Sequence, residues 1–265
     1  MPRFSANLSM LFNEYDFLDR FEAAARAGFK GVEYLGAYDH FPEEVAARLT
    51  KNGLTQVLFN VPSGDWAGGE RGIAILPGRV EEFQAGVDKA ITYAKALGCG
   101  QVNCLAGIAP AGASREELEK VFVENLKFAA DKLGEAGVRL LIEPINTRDI
   151  PGFFLTGTQQ ALDLIEKVGS QNLYLQYDIY HMQIMEGDLA RTIEANLDCI
   201  AHIQLADNPG RHEPGTGEIN YPFLYDFIDR LGYSGWIGAE YKPKDGTEAG
   251  LGWLRELAAK DSAAA

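Results

Sequence analysis

The chain has 265 residues, 24 of them basic and 38 acidic, which gives a net charge of -14 at neutral pH. A charge of this sign and size argues against a nucleic acid or an anionic membrane surface as a partner. Apolar residues make up 46% of the chain and charged residues 23%, the proportions of an ordinary globular protein. Any site for an anion therefore needs its own arginine or lysine.

The three cysteines, Cys99, Cys104 and Cys199, are odd in number and lie in no C-x-x-C spacing. We expect free thiols in a reducing compartment. Residues 1–7 show no charged-then-apolar leader, and nowhere do about 18 apolar residues run together. These features predict a cytoplasmic protein without a membrane span. They leave the oligomeric state, including a homo-oligomer, open.

Segments typical of strands alternate with segments typical of amphipathic helices along the whole chain. The pattern predicts a strand at 4–10, a helix at 16–27, a strand at 31–35, a helix at 42–51 and a strand at 54–60. After a turn-rich stretch at 61–77 it predicts a helix at 80–97, a strand at 101–105, a helix behind the capping box at 114–117, and a strand at 138–143. It then predicts helices at 158–168, 189–197, 222–231 and 247–259, with strands between them at 174–178, 201–204 and 235–240.

Eight strand–helix pairs in succession predict a parallel sheet that closes into a (β/α)8 barrel, the TIM-barrel fold. A doubly wound open sheet is the alternative, but it usually carries a glycine-rich phosphate loop after its first strand, and residues 7–10 are not one. We expect one domain over 1–260 and an alanine-rich tail at 261–265.

The stretch at 61–77 is long for a connection in a compact domain, and loops of that length are usually functional or disordered. It contains Trp66 and Arg71 besides Asp65 and Glu70, which is not the composition of a disordered linker. We interpret it as a cover over an active site in which Trp66 and Arg71 face the substrate. The alternative is that these side chains only pack the loop.

Four predicted strands end on a polar side chain that carries oxygen: Glu143, Asp178, Gln204 and Glu240. The carboxyl ends of barrel strands meet at one face, so we expect these four side chains to lie together. Three carboxylates at close range raise one another's pKa, and a divalent cation removes their repulsion. An all-oxygen ligand set favours Mg²⁺ or Mn²⁺. The alternative is that each carboxylate caps a helix or forms an ion pair.

Two glutamates on opposite sides of a substrate bound to such a metal form a general acid/base pair. One removes a proton from carbon, and the other delivers a proton to the neighbouring carbon or to the opposite face. The metal stabilises the enediolate that lies between these steps. This is the chemistry of an isomerase or epimerase, and it needs no organic cofactor such as nicotinamide or flavin.

Several motifs resemble those of hydroxypyruvate isomerase: RFSANLSM at 3–10, GDWAGGERG at 64–72, LIEPIN at 141–146, YDIYH at 177–181, PGRHEPGTGEINY at 209–221 and EYKP at 240–243. The resemblance covers essentially the whole chain and implies a xylose-isomerase-like TIM barrel. It implies interconversion of hydroxypyruvate and tartronate semialdehyde, a 1,2 proton shift between a ketone and an aldehyde.

The resemblance also implies roles for single residues. It implies Glu143 and Glu240 as proton donor and acceptor, and the metal ligands that it implies are Glu143, Asp178, Gln204 and Glu240. Related ketose 3-epimerases carry histidine where this chain has Gln204. This departure favours the hydroxypyruvate isomerases or their relatives, the 2-oxo-tetronate isomerases, over the ketose 3-epimerases.

A 2-oxo or 2-hydroxy acid brings a carboxylate that needs a cation. Our first choice is Arg211, in the loop after the Gln204 strand, because a guanidinium binds a carboxylate with two hydrogen bonds. Lys242 is the second choice, and either could instead pair with a surface acid. His181 follows Asp178 by three residues, where the resemblance implies a contact with a substrate oxygen; a lone histidine is otherwise more often structural. Glu33 ends the second strand and either contacts substrate or braces the barrel.

Two other classes of function compete with an isomerase. A barrel endonuclease for damaged DNA gathers metals with several histidines, but this chain has four histidines in all and a net charge of -14. A sugar-acid binding protein would keep the site without the chemistry. We therefore expect a metal-dependent isomerase of a small 2-oxo or 2-hydroxy acid.

Overall fold

The computed structural model describes residues 2–264, with side chains described as far as 259. Parallel strands close into a barrel in which each strand pairs with the next in chain order and the last pairs with the first. They are β1 (Arg3–Asn7), β2 (Gly31–Tyr34), β3 (Thr55–Asn60), β4 (Gln101–Cys104), β5 (Arg139–Ile142), β6 (Leu173–Asp178), β7 (Ile200–Leu205) and β8 (Trp236–Ala239). The predicted (β/α)8 barrel is confirmed.

Helices follow the strands and cover the outside of the barrel. They are α1 (Arg20–Arg26), α2 (Pro42–Asn52), α3 (Val80–Leu97), α4 (Arg115–Glu135), α5 (Thr158–Val168), α6 (Ile179–Met185), α7 (Leu189–Ala195), α8 (Tyr221–Arg230) and α9 (Gly252–Ala264). Their apolar faces pack on the outward side chains of the strands to form the main core. No helix in the part of the chain that the structure covers is both long enough and apolar enough to cross a membrane.

The structure departs from the predicted elements at several places. The first strand ends at Asn7 rather than at residue 10, and residues 8–10 form a turn. The first and last helices begin later than predicted, at Arg20 and Gly252, because a 3-10 turn precedes each. The short helix α6 was not predicted, since seven residues give too few apolar repeats to show a helical period. The alanine-rich tail predicted at 261–265 continues the backbone of α9, and Ala265 lies outside the described residues.

The inside of the barrel is polar toward the carboxyl ends of the strands. Glu33 in β2 lies 2.9 Å from His202 in β7, although these two strands are not neighbours. Both side chains therefore project into the barrel, and both are completely buried. Deeper inside, toward the amino ends of the strands, a small separate apolar cluster contains Val57, Leu141 and Ala201. The barrel thus has a small apolar layer inside it and a polar layer that supports whatever lies at the carboxyl ends.

Candidate active site

Three carboxylates lie together where β5, β6 and β8 end. Asp178 is the last residue of β6, and Glu143 and Glu240 directly follow β5 and β8. Each residue is exposed by 5% or less. The structure therefore brings three of the four predicted strand-end residues into one buried group.

The two carboxylate oxygens of Asp178 have different environments. Oδ1 accepts hydrogen bonds from the backbone N–H groups of Tyr180 at 2.8 Å and His181 at 3.3 Å, and so caps α6. Oδ2 is buried, and no N–H or hydroxyl group among the described residues donates to it. The helix-capping alternative thus accounts for one oxygen of Asp178. The other is a buried acceptor that a ligand would satisfy, and leaving it without one is costly.

Burial and mutual repulsion raise the pKa values of the cluster. The pKa of Glu143 lies well above its usual value because the side chain is buried and because Glu240 and Asp178 are close. Burial, opposed by Arg211 and aided by Asp178, raises the pKa of Glu240 to about 8. The pKa of Asp178 is also raised by burial, although Arg211 and the capped backbone oppose the shift. Carboxyl groups that exchange protons near neutral pH suit general acid/base catalysis.

His181 faces two of these carboxylates as a neutral imidazole, because burial and the nearby Arg211 hold its pKa well below the usual value. The Nδ2 of Asn146 lies 2.6 Å from its Nδ1. Arg211 Nη2 lies 3.4 Å from the Nε2 of His181, so each ring nitrogen of His181 has an N–H donor beside it. Nε2 lies 3.6 Å from Asp178 Oδ2 and 3.9 Å from Glu143 Oε1.

Gln204 hydrogen-bonds into the barrel rather than to the three carboxylates. Its Nε2 donates to Glu33 at 2.8 Å, and its Oε1 accepts from Gln176 at 2.6 Å. Glu33 also accepts from Ser5 at 2.8 Å and contacts His202. Glu33 does not line the cavity above the cluster. Of its two predicted roles, the structure favours bracing the barrel.

Arg211 is the cation of the cluster. Its Nη2 lies 3.1 Å from Glu240 Oε2 and 3.9 Å from Asp178 Oδ2, and its Nη1 lies 3.6 Å from Asp149 Oδ2. Burial would lower the pKa of Arg211, but these neighbours more than offset it and raise the pKa. The guanidinium also lies over the ring of Tyr180, 5.1 Å from its centroid. Carboxylates of the protein itself therefore compete with any substrate carboxylate for Arg211.

The loop that carries Arg211 is held by Asp207. The Asp207 carboxylate accepts backbone hydrogen bonds from Gly215 and Gly217 at 2.9 Å and from Ile219 at 3.1 Å. Arg211 itself has a φ of 54°, a left-handed conformation that is uncommon outside glycine. The network around Asp207 offsets the cost of that conformation and fixes where the guanidinium projects.

A cavity of about 830 Å³ opens above the cluster. Of the predicted site residues, those that line it are Glu143, His181, Arg211, Glu240, Lys242, Trp66 and Arg71. Asp178, Gln204 and Glu33 lie beneath this lining and are buried. The structure therefore places the long loop at 61–77 over the same opening as the carboxylates.

The residues present fit a divalent cation. Glu143, Asp178 and His181 offer ligand atoms that all lie within 4.8 Å of one another. Carboxylate oxygens, one of them without a donor, suit a hard cation such as Mg²⁺ or Mn²⁺. Three details differ from the predicted ligand set. Glu240 is not among the three residues and instead pairs with Arg211 at 3.1 Å. His181 lies within the group, whereas the amide oxygen of Gln204 is occupied by Gln176.

Several polar residues that were not expected in the site support the cluster. Asn103 donates to Glu143 at 2.9 Å, Asn7 donates to Glu240 at 3.2 Å, and Asn146 contacts His181. The sequence carried a signal for two of them. Asn7 is the last residue of β1 and Asn103 the last but one of β4, positions like those of the acids on later strands. Asp149 carries no such signal, since it lies in the loop after β5.

This arrangement defines a TIM-barrel enzyme with a buried acid cluster and a cavity for a small molecule. A family model of xylose isomerase-like TIM barrels matches residues 21–257, and the chain belongs to that family. Hydroxypyruvate isomerase of Escherichia coli (strain K12) is 59% identical to it, over 96% of this chain and 98% of that protein. The 2-oxo-tetronate isomerase of Cupriavidus necator is 52% identical, again over 96% and 98%. The resemblance inferred from the motifs is confirmed, and the chain is an isomerase.

Solved structures agree on the fold. A protein from Brucella melitensis described as an AP endonuclease of family 2 has a TM-score of 0.94 and 48% identity, covering 97% of this chain and 99% of that one. A 3-keto-D-glucoside 4-epimerase from E. coli has a TM-score of 0.79 at 20% identity, covering 97% and 99%. At that identity the likeness concerns the fold alone.

Proposed function

We propose that this chain is a divalent-metal-dependent isomerase that interconverts hydroxypyruvate and tartronate semialdehyde in the cytoplasm. The observation that carries the proposal is the pair Glu143 and Glu240. Both line the cavity, both are almost completely buried, and both have raised pKa values. They reach it from β5 and β8, which are not neighbours in the ring, so they approach a bound substrate from different sides.

The metal would be held by Glu143, Asp178 and Glu240, and by Gln204 once its amide oxygen is released from Gln176. A bound Mg²⁺ or Mn²⁺ supplies a positive charge that polarises the carbonyl and stabilises an enediolate. The unsatisfied Oδ2 of Asp178 is the feature that most favours this assignment.

The glutamates carry out the proton transfers. One takes a proton from C3 of hydroxypyruvate, and the electron pair of that C–H bond forms the C2–C3 double bond of the enediolate. The other glutamate delivers a proton to C2, and the proton of the O3 hydroxyl moves to O2 as the aldehyde forms. Each step needs one glutamate protonated and one ionised, which is favoured where close carboxylates disfavour double ionisation.

A four-carbon substrate is the second candidate. The 52% identity to a 2-oxo-tetronate isomerase supports a four-carbon substrate nearly as well as the 59% identity to hydroxypyruvate isomerase supports hydroxypyruvate. A cavity of about 830 Å³ has room for either acid. A ketose 3-epimerase is less favoured, because the E. coli and Cupriavidus relatives act, by their names, on 2-oxo acids.

A nuclease is disfavoured despite the name given to the Brucella relative. Of the chain's histidines, His181 alone lines the cavity, while His202 lies inside the barrel and His212 contacts the backbone of Lys242. A net charge of -14 would also repel DNA. The proposed partner is therefore a small organic acid rather than a nucleic acid.

Proton NMR in D₂O with Mg²⁺- or Mn²⁺-loaded enzyme tests the proposal. Hydroxypyruvate, a four-carbon 2-oxo acid and a ketohexose are supplied separately, and an EDTA-treated sample serves as the control. Fast metal-dependent conversion of hydroxypyruvate supports the proposal, and preference for the four-carbon acid moves the substrate to 2-oxo-tetronate. Absence of both conversion and deuterium incorporation with all three compounds would refute an isomerase of this kind.

A further inference from the structure

Arg71 is a cation at the cavity whose charge is not matched by a carboxylate of the protein. The cations that line the cavity are Arg71, Arg211 and Lys242. The acids that line it are Glu14, Glu143, Asp149 and Glu240. In such surroundings a substrate carboxylate is repelled unless a free cation receives it.

Arg211 is engaged within the cluster by Glu240, Asp178 and Asp149. Arg71, in contrast, has no ion pair with any acidic group of the described chain. Its Nη1 donates to two backbone carbonyls, those of Trp66 at 3.0 Å and Glu70 at 2.7 Å. These contacts orient the guanidinium and leave its Nε and Nη2 donors for a ligand. A planar guanidinium with two free donors matches the two oxygens of a carboxylate.

The loop holds Arg71 in place before any substrate arrives. The guanidinium lies 3.9 Å from the ring centroid of Trp66, so the two side chains stack. Glu70 pairs with Arg79 and accepts a hydrogen bond from the backbone of Asp65. Neither contact involves the Arg71 side chain. A side chain already fixed in this way loses little conformational entropy when it binds.

The residue after Arg71 fixes the loop against the barrel. Gly72 has a φ of +111°, and a Cβ there would lie 2.3 Å from the carbonyl oxygen of Leu105, which follows β4. Only glycine allows this close approach. The backbone N–H of Gly72 also donates to Ser63 at 2.9 Å. Arg71 is therefore attached to a loop that is docked on the catalytic end of the barrel.

We propose that Arg71 binds the carboxylate of the substrate and thereby makes the site selective for 2-oxo acids over neutral ketoses. This inference rests on the proposed isomerase function and adds the residue that recognises the substrate carboxylate. Arg211 then keeps its place beside Glu240 at the reacting carbons. Lys242 is exposed, and its flexible ammonium is a weaker match to a carboxylate.

The test compares two substrates that differ only at the acid end. Hydroxypyruvate carries a carboxylate where dihydroxyacetone carries a CH₂OH group, and the same 1,2 proton shift applies to both. Arg71→Gln should lower kcat/KM for hydroxypyruvate roughly 10- to 100-fold, the loss of one charged hydrogen-bonded contact. Activity on dihydroxyacetone should stay within about twofold of wild type, because its CH₂OH group carries no charge for Arg71 to bind. Arg71→Lys should recover part of the loss.

A direct binding measurement tests the carboxylate site of Arg71 independently of isomerase activity. Tartronate, a carboxylate that cannot isomerise, is titrated calorimetrically into the Mg²⁺-containing protein. The Kd of tartronate should rise at least about tenfold in Arg71→Gln, because the same charged hydrogen-bonded contact is lost. The matched control is Arg191→Gln on α7, which removes an exposed arginine paired only with Asp188 and should leave Kd unchanged.

An equal Kd in wild type and Arg71→Gln would overturn the assignment, as would a loss seen in Lys242→Gln instead. A wild-type protein that binds tartronate through Arg71 but isomerises neither substrate would keep the carboxylate site and refute the isomerase. Circular dichroism and thermal unfolding confirm that each variant keeps its fold.

Discussion

Replacing Glu33 by glutamine has a consequence whose size follows from the structure. Glu33 is 0% exposed, accepts hydrogen bonds from Ser5 and Gln204 at 2.8 Å each, and lies 2.9 Å from His202 Nε2. Glutamine keeps the volume, removes the charge and places a donor among donors. Leaving the buried donors of Ser5 and Gln204 without a charged acceptor costs about 1–3 kcal/mol for each donor. That is a large share of the ~5–15 kcal/mol by which a typical domain is stable.

The loss should also depend on pH. Burial alone would raise the pKa of Glu33, but His202, Gln204 and Ser5 more than offset it and hold the pKa below its usual value. A carboxyl group with a lower pKa in the folded state stabilises the fold above its unfolded pKa of about 4.3. This contribution disappears as the pH falls through the folded pKa. The difference between wild type and E33Q should be full at pH 7 and should shrink below pH ~4.

Urea unfolding in EDTA, followed by circular dichroism and tryptophan fluorescence, measures both effects without metal stabilisation. The matched control is Glu124→Gln on α4, which removes an exposed carboxylate paired with Lys127 and should change stability by less than about 0.5 kcal/mol. An E33Q protein as stable as wild type at pH 7 would refute the reasoning. A loss of the same size at every pH would refute the part that concerns charge.

Two further predictions concern metal and thiols. Asp178→Asn keeps a side chain that can cap α6 but loses the charge at Oδ2. The affinity for Mn²⁺, measured by electron paramagnetic resonance, should therefore fall at least about tenfold while the fold persists. Unchanged affinity would remove Asp178 from the metal site. Burial raises the pKa values of Cys99 and Cys104 to about 12. A thiol reagent at pH 8 should therefore label only the partly exposed Cys199 of the native chain. Rapid labelling of a second thiol would contradict this burial.

The barrel was predictable because its signals are repeated. Each strand–helix pair shows its own hydrophobic periodicity and its own terminating residues in the sequence. Eight such pairs in succession are compatible with few other topologies. The meeting of Glu143, Asp178 and Glu240 then follows from geometry, since the carboxyl ends of the strands share one face. Conversely, α6 was missed because it is short, and its N-terminus is capped by Asp178, a residue that was assigned to the site instead.

Side-chain direction was less predictable than position. Gln204 lies at the expected strand end, but its amide is shared between Gln176 and Glu33, and such a three-residue network depends on contacts across the barrel. Room for Glu33 in turn requires Gly238 in β8, where a Cβ would lie 2.2 Å from the carboxylate. No local pattern in the sequence reports these contacts. The metal-binding role of Gln204 therefore stays a prediction.

Proton exchange in D₂O by wild type, Glu143→Gln and Glu240→Gln shows whether these two glutamates carry the proton. We expect that neither metal-loaded variant interconverts hydroxypyruvate and tartronate semialdehyde at an appreciable rate, since loss of one acid/base group costs about 10²- to 10⁴-fold. One variant should still exchange the C3 protons of hydroxypyruvate, and the other should still exchange the C2 proton of tartronate semialdehyde. Near-wild-type interconversion by either variant would contradict a proton transfer between these two glutamates.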